Sequence, residues 1–215
     1  MYRGLIALDA DGVLLDFNLA YGRSWEKAFG VKPRLVNPNA YWAVDRWGVP
    51  RLTGAALDRL RATFDDEFWT TVPAIDGAID ACHTLCEAGY ELVCVSALPS
   101  KFEAARLKNL QDLGFPIKRV IATDNDQASV SPKAQVLDVL KPEAFVDDYL
   151  PYLKGVHPDI HSALILRDPH GSPNQGADLS LASSQHVNLA QFSAWWVQRR
   201  AVGNDSLQAQ VQPTT

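Results

Sequence analysis

The sequence predicts a doubly wound α/β fold: a Rossmann-like parallel sheet with a small helical cap inserted after the first strand. Three observations carry this expectation. Short runs that are apolar on both strand faces recur along the chain, helix-like stretches separate them, and one region near the start holds helical patterns without a strand. Strands buried on both faces lose the polar alternation of a half-exposed sheet, which is the habit of parallel sheets covered by helices. Regular alternation of strand and helix then gives the doubly wound class.

Along the chain, LIAL (5–8) is the first strand. Residues 18–72 form the expected cap, where LAYGRSWEKAFG and TGAALDRLRATFDDEFW read as helices. TTVPAIDG (70–77) returns the chain to the core, punctuated by Pro73 and Gly77. AIDACHTLCEAG (78–89) carries Ile79, Cys82, Leu85 and Cys86 at helical spacing and stops at Gly89, after which ELVCV (91–95) is the second strand. SKFEAARLKNLQDLG (100–114) begins with Ser100, has Glu103 in the capping-box position and ends at Gly114. RVIAT (119–123), EAFV (143–146) and SALIL (162–166) supply three further strands, and RDPHGSPNQG (167–176) is a polar loop. HVNL (186–189) reads as a short edge strand ahead of a helix holding Trp195 and Trp196, residues of the core or of an interface between copies. The core thus comprises residues 1–17 and 73–202, and the tail 203–215, poor in apolar residues, is expected to be disordered.

Composition narrows the function. A chain of 215 residues, 47% hydrophobic, suffices for one buried core with an insertion. A net charge of -5 without a basic stripe argues against a nucleic-acid partner. There is no apolar run of about 18 residues and no signal-like segment, so neither a membrane nor export is expected and the cytoplasm is the default location. Cys82, Cys86 and Cys94 are odd in number and lack a second pair at metal-site spacing, which predicts free, buried thiols. A monomer and a homodimer are both compatible with this sequence.

In open α/β sheets the ligand crevice lies beyond the carboxyl ends of the strands. The first strand runs into Asp9-Ala10-Asp11-Gly12, the second into Ser96-Ala97 and the fourth into Asp147-Asp148, while Lys133 leads the helical segment before the fourth. Four carboxylates at one sheet edge require a counter-charge, and oxygen-rich sites of this kind favour Mg²⁺. A hydroxyl, backbone N–H groups and one lysine beside such an ion make a phosphate pocket. Residues i and i+2 of an extended strand point one way, so Asp9 and Asp11 are expected to address one phosphate. Singly, each of these residues is an ordinary turn or surface residue. Their joint placement is what points to chemistry.

Taken in order, DADGVLLDF, VSALP, the lysine of SPKAQVL and FVDDYL resemble the four motifs of the haloacid dehalogenase-like (HAD) hydrolase superfamily. The resemblance implies that Asp9 attacks phosphorus to form an aspartyl-phosphate. Asp11 then serves as acid and base, protonating the leaving oxygen and deprotonating the incoming water. It further implies that Asp9, the backbone carbonyl of Asp11, Asp147 and Asp148 hold Mg²⁺. Ser96, the N–H of Ala97 and Lys133 would grip the phosphoryl oxygens. In this superfamily an Asp two residues after the nucleophile, here Asp11, goes with phosphatases and phosphomutases, whereas dehalogenases need no acid there. Ala97 departs from the second motif in having no side-chain donor.

The expected function is a Mg²⁺-dependent phosphatase acting on a small phosphorylated metabolite. FWTTVPAIDGAIDA and FVDD also resemble the deoxyribonucleotidase branch, which puts a nucleoside monophosphate first among substrates. The alternatives are a phosphomutase, a phosphonate-cleaving relative drawing a cap lysine from Lys27 or Lys32, and a catalytically idle binding protein of the same fold. The cap aromatics Trp25, Tyr41, Trp42, Trp47 and Trp69 read mainly as core, with at most one or two against substrate. Arg46, between Trp42 and Trp47, is the cap residue best placed to read a charged substrate, against the plainer reading of a surface arginine.

Overall fold

The computed structural model describes residues 3–124 and 130–208. Six strands, β1 (Gly4–Leu8), β2 (Tyr90–Ser96), β3 (Val120–Ala122), β4 (Ala144–Asp147), β5 (His161–Ile165) and β6 (Ser184–His186), form one parallel sheet in the order β3-β2-β1-β4-β5-β6. The order reverses between β1 and β4. A crevice therefore opens at their carboxyl ends, where the connections depart to opposite sides.

Helices occupy both faces. Between β1 and β2 lie α1 (Phe17–Phe29), α2 (Ala43–Arg46), α3 (Gly54–Arg61), α4 (Asp66–Thr70) and α5 (Ala78–Glu87). They are succeeded along the chain by α6 (Glu103–Asp112), α7 (Ala134–Leu140) and α8 (Leu189–Gln208). Successive residues of β1 show why no alternation is visible in the sequence. Ile6 and Leu8 pack with Cys82 and Leu85 of α5, Leu110 of α6 and Phe192 and Trp196 of α8, while Ala7 packs on the other face with Phe145 and with Leu137 of α7.

The segment holding α1 to α4 contains no strand and has an apolar cluster of its own around Tyr21, Trp25, Ala43 and Leu60. Phe17 and Phe64 reach both this cluster and the main core. The Asp16 carboxylate caps α1 by accepting the Leu19 N–H, and Gly30 ends the helix in the left-handed conformation.

Several boundaries differ from the sequence reading. The edge strand is Ser184–His186, because Asn188 accepts the Gln191 N–H and starts α8 inside the stretch assigned to the strand. The expected capping box at Ser100 is absent: Ser100–Phe102 is a 3-10 turn, and Glu103 instead accepts the Ala122 N–H of β3 at 2.9 Å. An edge strand with free N–H groups competes successfully for that carboxylate. The backbone of 203–208 continues α8, a helix already nucleated over residues of good propensity. The rest of the tail expected to be disordered, 209–215, lies outside the described residues. Trp196 is buried against Tyr90 and Phe192 and belongs to the core. Cys82, Cys86 and Cys94 are free thiols, two of them buried. No helix among the described residues is long and apolar enough to cross a membrane.

Candidate active site

β1 ends at Leu8, and residues 9–15 fold into a tight turn in which the N–H groups of Leu14 and Leu15 both donate to the Ala10 carbonyl. The Asp9 N–H donates to the Val146 carbonyl of β4, which fixes the first carboxylate beside the fourth motif. Contrary to the expectation of one face of an extended strand, Asp9 and Asp11 lie beyond the end of β1. They line the same cavity from a turn and take different partners.

Asp9 faces Lys133. The fully buried ammonium lies 2.6 Å from Asp9 Oδ1 and 2.6 Å from Asp147 Oδ2. Burial alone would drive the lysine pKa down, but Asp147 and Asp9 overcome it and hold the pKa above its ordinary value. The other oxygen of Asp147 accepts the Tyr149 N–H at 2.8 Å. Asp148 Oδ2 accepts from Arg167 Nε at 2.6 Å, and Arg167 also binds Asp168 and covers the Tyr41 ring. The Asp148 carbonyl accepts from the Tyr41 hydroxyl and the Asn174 amide.

Gly12 makes this packing possible. Its φ is +96°, and a Cβ there would lie 2.3 Å from Asp148 Oδ2 and 2.6 Å from Arg167 Nε. Gly12→Ala is therefore expected to push the Asp148–Arg167 pair aside and to destabilise the fold by about 1–3 kcal/mol, read by urea unfolding.

Asp11 turns to Arg106 of α6, whose Nη2 lies 2.8 Å and 2.9 Å from the two carboxylate oxygens. Burial pushes the Asp11 pKa up to about 6, against Arg106, which lowers it, and with the help of Asp9 and Asp148. A carboxyl titrating there can both give and take a proton near neutral pH.

Asp9, Asp147 and Asp148 bring carboxylate oxygens within 4.8 Å of one another, all buried. Among the described residues, two cations serve these three carboxylates, and one of them, Arg167, is shared with Asp168. The cluster is short of positive charge and rich in hard oxygen donors, so these residues fit a divalent cation such as Mg²⁺. The Asp11 side chain is outside this cluster.

The cavity above the site measures about 770 Å³ and is lined by Asp9, Asp11, Ser96, Ala97 and Asp148. Lys133 and Asp147 lie behind this wall and do not line it. Of the three expected phosphate contacts, Ser96 and Ala97 face the cavity, and Lys133 is engaged by carboxylates.

Two expectations for the cap need correction. Arg46 does not line this cavity; it binds the Pro38 carbonyl and pairs with Asp16 and Asp168 beside a smaller cavity of about 170 Å³. Two carboxylates at its side hold it in a structural link between cap and core. Three of the five cap aromatics, Tyr41, Trp42 and Trp69, line the main cavity, more than expected, and Trp25 and Trp47 pack in the cap. The sequence reading also missed Arg106 and Arg167, the partners of Asp11 and Asp148.

No protein-family model matches this sequence, and no curated protein matches it. The similarity lies in structure. A HAD family hydrolase from Deinococcus radiodurans R1, solved with bound phosphate and sodium, aligns with a TM-score of 0.61 at 18% identity over 90% of this chain and 95% of that one. A protein from Clostridium difficile named as a phosphatase aligns with a TM-score of 0.61 at 19% identity over 87% and 95%. An L-2-haloacid dehalogenase aligns with a TM-score of 0.58 at 15% identity over 92% and 100%. Six parallel strands in one sheet, helices on both faces and four motif segments meeting at the carboxyl edge complete the match: the chain has the fold of the haloacid dehalogenase-like hydrolases.

Proposed function

We propose that this protein is a Mg²⁺-dependent phosphatase that hydrolyses a small phosphate monoester through an aspartyl-phosphate on Asp9. The observation that carries this reading is the pairing of Asp9 and Asp11 in one cavity with separate charge partners, which suits one to attack and the other to move protons. Asp9, held by Lys133 and by its N–H bond to Val146, presents a carboxylate oxygen to phosphorus. Asp11 gives its proton to the leaving oxygen and later takes one from the attacking water, a role worth about 10²- to 10⁴-fold in rate. Ser96 and Ala97 line the cavity, and on this reading the Ser96 hydroxyl and the Ala97 N–H hold phosphoryl oxygens. Asp9, the Asp11 carbonyl, Asp147 and Asp148 would hold Mg²⁺, which when bound would supply charge that shields the nucleophile from the phosphate.

Dehalogenases share the fold, but the acid at Asp11 favours phosphoryl chemistry. The phosphonate-cleaving alternative loses its lysine: Lys27 is tied to Asp65 and Glu67 away from the main cavity, and neither it nor Lys32 lines that cavity. Aromatic walls of Tyr21, Tyr41, Trp42, Trp69 and Tyr149 support a flat substrate group, with a nucleoside monophosphate first.

A panel of phosphorylated metabolites with Mg²⁺, reading released phosphate, tests the assignment. Isomerised product without free phosphate marks a mutase, and silence across the panel marks a binding protein. Removing divalent cations with EDTA is expected to abolish turnover and added Mg²⁺ to restore it; turnover persisting in excess EDTA overturns the metal assignment.

A further inference from the structure

We infer that Arg106 is a positioning residue for Asp11, aiming its carboxyl at the leaving oxygen from behind the cavity wall. The inference rests on the phosphatase reading and goes beyond it in assigning a role to a residue that lies outside the four motifs.

Arg106 is 0% exposed and does not line the cavity, whereas the Asp11 side chain is 27% exposed and does. The carboxyl therefore stands between the cavity and the guanidinium, and Arg106 acts on substrate only through Asp11. Its hydrogen bonding runs through one nitrogen: Nη2 reaches both oxygens of Asp11, while Nε and Nη1 are buried with no hydrogen-bond partner among the described residues. Buried donors left unpaired cost stability, and an apolar side chain of similar length is often no less stable in such a place. A purely structural arginine leaves that cost without return. One that fixes the direction of a proton donor gives it one.

The surroundings make Arg106 a rigid backstop. The Trp69 ring covers the guanidinium at 4.9 Å, and Trp69 is itself anchored through its Nε1–H to the Phe64 carbonyl. One turn along α6, the Asn109 amide donates to the carbonyls of Thr70 and Val72 and ties the helix to the segment returning from the cap. Asp11, Arg106 and Trp69 thus form one stack, with Asp11 and Trp69 reaching the cavity at its two ends.

In the first half-reaction a bond forms from a carboxylate oxygen of Asp9 to phosphorus as the bond from phosphorus to the leaving oxygen breaks. That electron pair stays on the leaving oxygen, which takes the Asp11 proton. Asp11 is left as a carboxylate facing the positive charge of Arg106. Help of this kind matters most for a poor leaving group, because a good one departs without a proton.

The test is the ratio of rates on 4-nitrophenyl phosphate and phenyl phosphate with saturating Mg²⁺, in wild type and in Arg106→Gln. In kcat/KM, which reads the first half-reaction and not the hydrolysis common to both esters, the variant is expected to lose about 10²-fold on phenyl phosphate and only several-fold on 4-nitrophenyl phosphate, so that the ratio widens by more than tenfold. Arg106→Lys, which keeps the charge and the buried volume, is expected to widen the ratio less, and it carries the test if the glutamine variant does not fold. An equal loss on both esters overturns the inference while leaving the phosphatase reading intact. No phosphate release from either ester by the wild type sinks the reading and the inference with it.

Discussion

Asp9→Asn is expected to lower phosphate release from 4-nitrophenyl phosphate by about 10⁴-fold or more, with the fold intact. The amide oxygen is a poor nucleophile toward phosphorus and carries no charge. It also lacks the anionic oxygen that the neighbouring carboxylates contribute toward a cation. The fold survives because two effects oppose each other: Lys133 loses one of its two partners but keeps Asp147 at 2.6 Å, and the crowding of Asp9 against Asp147 and Asp148 is relieved. The check is a rate assay paired with urea unfolding. A rate near that of the wild type rules out covalent catalysis at Asp9, and a large fall in stability shows that its role is structural.

The same residue shows how far the sequence could be read. Parallel strands are apolar on both faces, and the residues at or just beyond their carboxyl ends fall at the ligand edge, so Asp9, Ser96 and Asp147-Asp148 were legible from position alone. Arg167 was legible by the same rule, since it stands just past the end of β5, but a polar loop of ten residues hid it among ordinary loop chemistry. Arg106 left a fainter signal. It stands four residues before Leu110, on the stripe of α6 that faces the core, where a charged residue needs a partner. Nothing local identifies Asp11 as that partner, because the pairing spans 95 positions in sequence. Arg46 failed for the same reason in reverse: its neighbours Trp42 and Trp47 suggested a pocket, and its partners Asp16 and Asp168 come from distant segments. Where a tertiary contact prevailed over a local cap, the helix start moved, as Glu103 shows at the edge of β3.

Lys133→Met is expected to be the most destabilising change at the site, by roughly 3–5 kcal/mol at neutral pH. The ammonium is fully buried and is the cation shared by Asp9 and Asp147, so a methionine of similar volume fills the space and leaves two buried carboxylates without it. Burial, with Asp9 and Asp148 adding to it, already holds the Asp147 pKa above its ordinary value against the pull of Lys133, and loss of the ammonium pushes it further up. Groups of this kind bind protons preferentially in the folded state, so stability falls as pH rises through the window between the two values and recovers as pH falls. The deficit should therefore shrink in mildly acidic buffer. It should also shrink in excess Mg²⁺, because a divalent cation on Asp9, Asp147 and Asp148 replaces the lost charge, and the variant should gain more from Mg²⁺ than the wild type does. Urea unfolding at neutral and acidic pH, with and without Mg²⁺, reads all three. Unchanged stability at neutral pH shows that Lys133 is not the counter-charge of this cluster. A deficit indifferent to both pH and Mg²⁺ assigns the loss to packing and removes the electrostatic case for a cation between these carboxylates.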